Sequence, residues 1–306
     1  MKNNKGSATL LTLLIVAVII TIAIGFNWYV REYLRNAEAL RKKTEAMLKT
    51  YSTFDILNYL ILTGVVTNKE IQTQKIENLN ISLKDLPLDG RSFNLLYDDV
   101  IITLQDTNGL ISFSTINEDA FKRLIEQKSN KNPEILIDCY YDWIDTDNFK
   151  RVLGAEADNY KKEGYIYSPR NYPLQFKREL LLIKGFDISL YREISPYITQ
   201  LPISGFNPNT APKEVLMAVL EIDEATAVKL KDYIENIKPI KNEDELFLVI
   251  GKTVILGEEY DFKPSGFYEI TIQNREKENV LYEIKTGLRK LGNYFSPYIV
   301  THWIEE

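Results

Sequence analysis

Asp142, Asp145, Asp147, Glu156 and Asp158 fall within one short stretch of the chain. Asp145 and Asp147 are two residues apart, so on an extended segment both carboxylates face one side. Glu156 and Asp158 repeat that spacing after a polar turn around Gly154. Brought together, such groups repel one another. A hard dication with six to eight oxygen ligands relieves the repulsion, and calcium tolerates irregular loops better than magnesium. These carboxylates are therefore metal-ligand candidates as a group. Asp145-Thr-Asp147-Asn-Phe-Lys lacks the glycine and spacing of an EF-hand. A solvated acidic face, or a set of helix N-caps, is the other reading of the same residues. Glycosidase chemistry also uses paired carboxylates, but no surrounding cleft is readable from the sequence.

Other chemistries are bounded by scarcity. The 306 residues contain one histidine, His302, and one cysteine, Cys139. A structural zinc site needs about four nitrogen or sulfur ligands, and an intramolecular disulfide needs a second cysteine. Neither can be built within the chain. The net charge of −6 argues against a general affinity for nucleic acid, which is carried by cationic side chains meeting phosphates. At 45% apolar and 26% charged, the composition is that of a folded protein, with length for about two domains.

The elements that position these residues begin with an uncharged run from Gly6 to Asn27, preceded by Lys2 and Lys5. As a helix, Ala8 to Phe26 spans about 28 Å, close to the hydrocarbon thickness of a bilayer. No small-residue signal-peptidase site follows the run. Trp28, Tyr29 and Tyr33 sit where an interfacial aromatic belt belongs. Leu34, Ala37, Leu40, Met47 and Leu48 then recur at roughly helical spacing among charged residues. With neither Gly nor Pro between Phe26 and Gly64, the pattern predicts one helix of roughly fifty residues, half in the membrane and half amphipathic.

Strand signals lie on both sides of a long helical stretch. Asp99 to Gln105 and Gly109 to Thr115 are β-rich, with the Asn108-Gly109 turn signal of a hairpin between them. Gly266 to Ile272, Asn279 to Thr286 and Tyr294 to Trp303 form a second group, with Gln273 to Asn279 reading as a turn. Alternation in the first two suits half-buried antiparallel strands. These segments predict one antiparallel sheet packed on the long helix, an α+β arrangement, with a large, mostly helical domain inserted between strands. His302, on the last strand, has no evident partner and reads as a packed or solvated ring.

Leu180 to Asp187 and Asn209 to Val228 look like helix-hairpin-helix units. A DNA-binding hairpin needs a Gly-x-Gly turn that bares backbone amides to a phosphate. Here the second turn is Glu221-Ile-Asp223, and the first keeps Gly185 but has Asp187. Such units read as packing rather than as nucleic-acid readers.

The leader Lys5-Gly6-Ser7, placed before the apolar run, resembles that of a type IV prepilin. In that family a dedicated prepilin peptidase cuts after the glycine, which implies cleavage between Gly6 and Ser7 and methylation of the new amine. Most prepilins carry Glu at the fifth mature position, which is Leu11 here. A carboxylate in apolar surroundings costs about 2.5–3.5 kcal/mol on insertion scales and persists where a neighbour's amine compensates it. A subunit with no neighbour above it has no use for one. An apolar residue there is a feature of the K-class minor pseudopilins of type II secretion.

The ordered blocks Asp142-Trp-Ile-Asp-Thr-Asp147, Gly154-Ala-Glu-Ala-Asp-Asn-Tyr160, Asn171-Tyr-Pro-Leu174, Glu179-Leu180 and Asn207-Pro-Asn-Thr-Ala211 resemble the same K-class family, general secretion pathway protein K. Two features depart from it. Ser112-Phe-Ser114 stands where the family usually has Asn-Leu-Asn, and the disulfide of some members cannot form with Cys139 alone. The resemblance implies a leader over 1–6 and the membrane half of a pilin-like helix over 7–27. The amphipathic helix and first strands follow over 28–115, the inserted domain over 116–262 and the closing strands over 263–306. It implies a non-enzymatic, single-pass protein of the bacterial inner membrane with its globular part in the periplasm, capping or initiating a pseudopilus. The partners implied are the I- and J-class minor pseudopilins, the inner-membrane platform, prepilin peptidase and, as a further candidate, exported proteins. Calcium is implied at Asp145, Asp147, Glu156 and Asp158, with Asp142 and Asn171 as secondary ligand candidates. A type IV pilus minor pilin and a membrane-tethered DNA-uptake receptor are the rival readings.

Overall fold

The structure is a computed structural model and describes residues 5–73, 85–113, 117–252, 261–293 and 295–306. Helix α1 runs unbroken from Lys5 to Thr63. Its first half is exposed and is long and apolar enough to cross a membrane. Its second half buries Phe54, Leu57, Leu60 and Ile61 against a sheet. After α1 come three short strands, β1 (Val65–Val66), β2 (Glu70–Gln72) and β3 (Asp85–Pro87), which make a small antiparallel sheet. β4 (Asp89–Phe93) and β5 (Val100–Asp106) enter the main sheet, and β6 (Ile111–Ser112) leaves it.

The helical region follows. It comprises α2 (Glu118–Lys128), α3 (Pro133–Ile144), α4 (Ala157–Lys162) and α5 (Ile188–Ile194), then the short strand β7 (Ile198–Thr199), then α6 (Lys213–Leu220), α7 (Glu224–Asn236) and α8 (Glu243–Ile250). Their boundaries are written locally. Asn117, Asp187, Asp223 and Asn242 each accept a hydrogen bond from the third backbone N–H beyond, which satisfies one donor of the opening turn. Asn132 caps α3 with Pro133 at its first position. α8 ends on Gly251 at φ 71°, a left-handed conformation that glycine takes without strain.

The chain returns as β8 (Phe267–Glu276), β9 (Asn279–Lys290) and β10 (Tyr298–Glu305). The main sheet is antiparallel in the order β10-β9-β8-β5-β4, so the helical region is inserted between neighbouring strands β5 and β8. Val100, Ile102, Leu104, Tyr268, Ile270, Ile272 and Leu288 meet α1 on one face. Trp303 stands edge-on to Phe54 at 4.9 Å between ring centres. Lys42–Glu276 and Lys49–Asp99 ion pairs, at 2.8 and 2.7 Å, tie the near end of the sheet to the middle of α1. On the other face Glu269 accepts a hydrogen bond from Thr199 at 2.7 Å and pairs with Lys177 at 3.3 Å, which fastens the inserted helices.

β5 starts beside Lys49 and ends at Asp106, while Lys290 at the same far end donates to the carbonyl of Ile61 near the end of α1. The inserted region therefore departs from the end of the sheet farthest from the apolar half of α1. Its core is a separate cluster built around Phe121, Leu136, Tyr140, Trp143, Tyr160 and Leu216.

Three expectations are corrected. Asn108-Gly109 does not turn a hairpin. Thr107–Gly109 is a buried 3-10 turn, and β6 pairs in parallel with β7 instead of folding back on β5. The reason lies in long-range bonds: Asn108 Nδ2 donates to Ser204 Oγ and to the carbonyl of Lys263. A Cβ on Gly109 would strike the carbonyl of Thr210. Gln273 to Glu276 continue β8, and the turn falls at Lys277, at φ 59°. The last strand begins at Tyr298 rather than 294. Residues 114–116, which include the end of the expected second strand and Ser114, lie outside the described residues.

Candidate metal centre

α3 ends at Ile144, and Asp145 follows in extended conformation (φ −72°, ψ 165°). Asp145 and Asp147 therefore share a side, as alternation along an extended segment requires. The loop returns through Gly154 to Glu156, the N-cap of α4, also extended (φ −98°, ψ 177°). Asp145, Asp147 and Glu156 each offer a carboxylate oxygen, and these oxygens lie within 4.8 Å of one another.

The chemistry of this trio is unbalanced without a cation. Glu156 is only 5% exposed, and neither of its carboxylate oxygens has a hydrogen-bond partner among the described residues. Asp145 Oδ1 is likewise buried and unpartnered. Burial, then the charges of Asp142, Asp145 and Asp147, push the Glu156 carboxyl up to about 7. Burial and Asp147 raise Asp145 as well. An orphaned buried carboxylate costs several kcal/mol unless it is paired or metal-bound, so the residues fit a hard oxygen-loving cation.

The remaining candidates sit nearby in other roles. Asp158 is exposed in the first turn of α4, outside the trio. The alternation that pairs it with Glu156 holds only for extended chain. Once α4 begins at Ala157, two residues rotate a side chain by about 200°. Asp142 is fully buried and accepts from the backbone N–H of Arg151 at 3.1 Å, so it backs the loop and does not join the trio. A Cβ on Gly154 would collide with its Oδ2. Asn171, at φ 54°, donates from Nδ2 to the carbonyl of Asp147 and from its N–H to the carbonyl of Trp143, both at 2.9 Å. It clamps the ligand loop from outside.

Sequence reasoning left Glu179 without a role. It is buried and accepts from Trp143 Nε1 at 3.0 Å, Gln175 N at 3.0 Å and Arg170 Nη1 at 3.1 Å. It thereby fixes both the end of α3 and the loop that carries Asn171. Its place in the Glu179-Leu180 block was the only signal.

The other singled-out residues are spent on structure. His302 lies half-buried on β10, with Glu269 at 3.8 Å, and burial holds its ring below the usual imidazole range. Asp187 caps α5, Asp223 caps α7, and Glu221 takes the left-handed turn between α6 and α7 while its carbonyl accepts from Lys252. Cys139 is buried and its thiol is pushed up to about 11 by desolvation, far from a reactive thiolate. Gly6 and Ser7 open α1, and Leu11 lies exposed on it.

Comparison with known proteins returns one family. The family model described as type II secretion system (T2SS), protein K, matches residues 96–203. Type II secretion system protein K of Klebsiella pneumoniae is 23% identical over 260 residues, 76% of this chain and 74% of its own. That of Pectobacterium carotovorum subsp. carotovorum is 23% identical over 254 residues, 76% of this chain and 75% of its own. That of Dickeya chrysanthemi is 34% identical over 82 residues, 26% of this chain and 22% of its own. The fold is similar to a chain in the crystal structure of the GspK-GspI-GspJ complex from enterotoxigenic Escherichia coli, with a TM-score of 0.53 and 16% identity, over 90% of this chain and 99% of that one. The ordered sequence blocks, the family model over residues 96–203 and the shared architecture agree, and each makes the chain similar to type II secretion system protein K.

Proposed function

We propose that this chain is a minor pseudopilin of a type II protein secretion system that caps or initiates the pseudopilus. The observation that carries the reading is α1 itself. It is one unbroken helix, uncharged where a membrane would surround it and packed on the sheet where it leaves, with apolar Leu11 at the position that filament-extending subunits fill with Glu. The bulky inserted region leaves the sheet at the end farthest from the apolar half of α1 and packs on the sheet face that α1 does not cover, where it would crowd a further subunit. The inner membrane anchors the chain, the globular part lies in the periplasm, and prepilin peptidase removes residues 1–6. I- and J-class minor pseudopilins pack beside α1, and the secretion platform lies below. A chain with the K-I-J complex fold supports that partnership by analogy.

Calcium at Asp145, Asp147 and Glu156 stabilises the inserted region in this reading; three carboxylates leave further coordination positions to water or to another ligand. The DNA-uptake reading loses its ground because the hairpin-like turns spend acidic side chains on helix caps. Crosslinking tests the assignment. Cysteines placed along α1 of the intact chain, whose own Cys139 is buried, should capture minor pseudopilins on one side only. A ladder of homo-oligomers in cells would overturn it.

A further inference from the structure

Two loops beside the acidic trio carry large apolar side chains that the fold leaves in solvent. Phe149 is 84% and Val152 91% exposed on the loop between α3 and α4, and Ile166 and Tyr172 are exposed on the loop after α4. The loops are bonded to each other through Asn171, which donates to Trp143 and Asp147. The outward residues follow from what is packed inward. Tyr165 and Tyr167 gather around Tyr160 with ring centres 5.5 and 5.8 Å away, which leaves Ile166 between them facing out. On the first loop Gly154 and Ala155 are buried and Arg151 is held on α3 through Asp142 and the Tyr141 ring, whereas Phe149, Lys150 and Val152 are exposed. Exposed apolar groups on two bonded loops suit an interaction surface.

The charge around them selects the partner. Lys150 and Arg151 lie between Phe149 and Val152 in the chain, and Lys161 and Lys162 close α4; all four are exposed. Lys150, Lys161 and Lys162 make no ion pair among the described residues, so their charge is available. Apolar tips interleaved with cations suit the interface of an anionic bilayer, where the tips enter the acyl boundary and the cations meet phosphates. The bare trio would repel such a surface. A bound calcium would cut the trio's negative charge from about three to about one, so that the repulsion no longer outweighs the free lysines, and would present open coordination positions to phosphate oxygens.

We propose that these loops dock on an anionic phospholipid bilayer when calcium is bound. The inference rests on the calcium reading above.

The test uses the intact chain in phosphatidylcholine nanodiscs, so that its own helix is already occupied. Sucrose-loaded acceptor vesicles of phosphatidylcholine, with or without phosphatidylglycerol, are pelleted in millimolar calcium or chelator. Roughly tenfold more chain should pellet with the anionic vesicles in calcium than in either control. Phe149→Ser/Val152→Ser should abolish the difference while melting temperature and calcium heat stay unchanged, because both residues are exposed. Calcium heat without pelleting, equal pelleting on neutral vesicles, or pelleting that survives the double variant would overturn the docking and leave the calcium site standing. Absence of calcium heat would overturn the calcium reading and, with it, docking of this kind.

Discussion

The carboxylates of Asp145 and Glu156 approach within 4.8 Å across a ten-residue loop, and buried oxygens on both lack any hydrogen-bond partner among the described residues. Two like charges facing each other without donors are unfavourable unless a cation joins them. In the calcium reading the loop is closed by the ion it binds. Extracellular calcium modules typically bind at roughly 0.1–1 mM, so about 1 mM calcium would add about 0.4–1.4 kcal/mol by mass action. The inserted region should melt several degrees higher in calcium than in chelator. Asp147→Ala or Glu156→Ala should remove most of that shift, whereas Asp158→Ala, outside the trio, should leave it intact. Differential scanning and titration calorimetry measure both; an equal loss with Asp158→Ala would disprove the three-ligand assignment.

Gly154 tests how the loop is held. A methyl there would meet Asp142 Oδ2 and crowd the carbonyl of Asp138. Asp142 would have to release the Arg151 N–H that it accepts. Gly154→Ala should cost about 1–3 kcal/mol in stability, the range for overpacking, and weaken calcium binding beyond that loss. A variant with unchanged melting and affinity would show that the loop adjusts freely.

Much of this architecture is written in local patterns. The uncharged run of α1, its helical spacing to Thr63 and the alternation in β8 and β9 are each set by neighbouring residues, and each is found in the structure. Asn108-Gly109 was misleading because its turn chemistry is overridden by bonds to Ser204 and Lys263, far away in sequence. The same limit applies at the metal centre. The approach of Asp145 and Asp147 is legible from spacing because extended chain preserves alternation, whereas Glu156 reaches them only through the return of the loop. Asp158 does not join them, since the onset of α4 turns it away. Glu179 is a hub between two segments whose meeting no short-range pattern encodes.

Processing gives a test independent of the globular part. In the prepilin reading the bond after Gly6 is cut, and the missing side chain lets the backbone enter the peptidase site. Protein purified from native membranes should begin at Ser7, with the mass of one added methyl group. Gly6→Ala should leave the chain beginning at Met1 and block secretion. Intact-mass measurement reads both, and an unprocessed wild-type chain in peptidase-proficient cells would remove the prepilin assignment.

The junction between sheet and inserted region should respond to pH in a direction fixed by Asp106. This carboxyl is fully buried where the chain leaves β5. Its Oδ1 accepts from Ser265 N and Oγ at 2.8 and 2.7 Å, and its Oδ2 from Thr210 Oγ1 at 3.2 Å, so it joins the chain's exit to its return. Burial outweighs those donors and raises the group from 3.8 to about 7. Between those values the folded chain keeps a proton that the unfolded chain has lost. Stability from this group is fully present below the unfolded value and declines as pH rises through the window, by up to about 1.4 kcal/mol per pH unit. Asp106→Asn keeps an acceptor for Ser265 and places an amide where the Thr210 hydroxyl can rotate to accept. It should flatten the pH dependence between about 4 and 7 and leave the variant more stable than the wild type at pH 8. Chemical unfolding of both proteins across that range measures the difference. A wild type that gains stability relative to Asp106→Asn with rising pH would show that the carboxylate is held charged and that its hydrogen bonds, not its burial, dominate the junction.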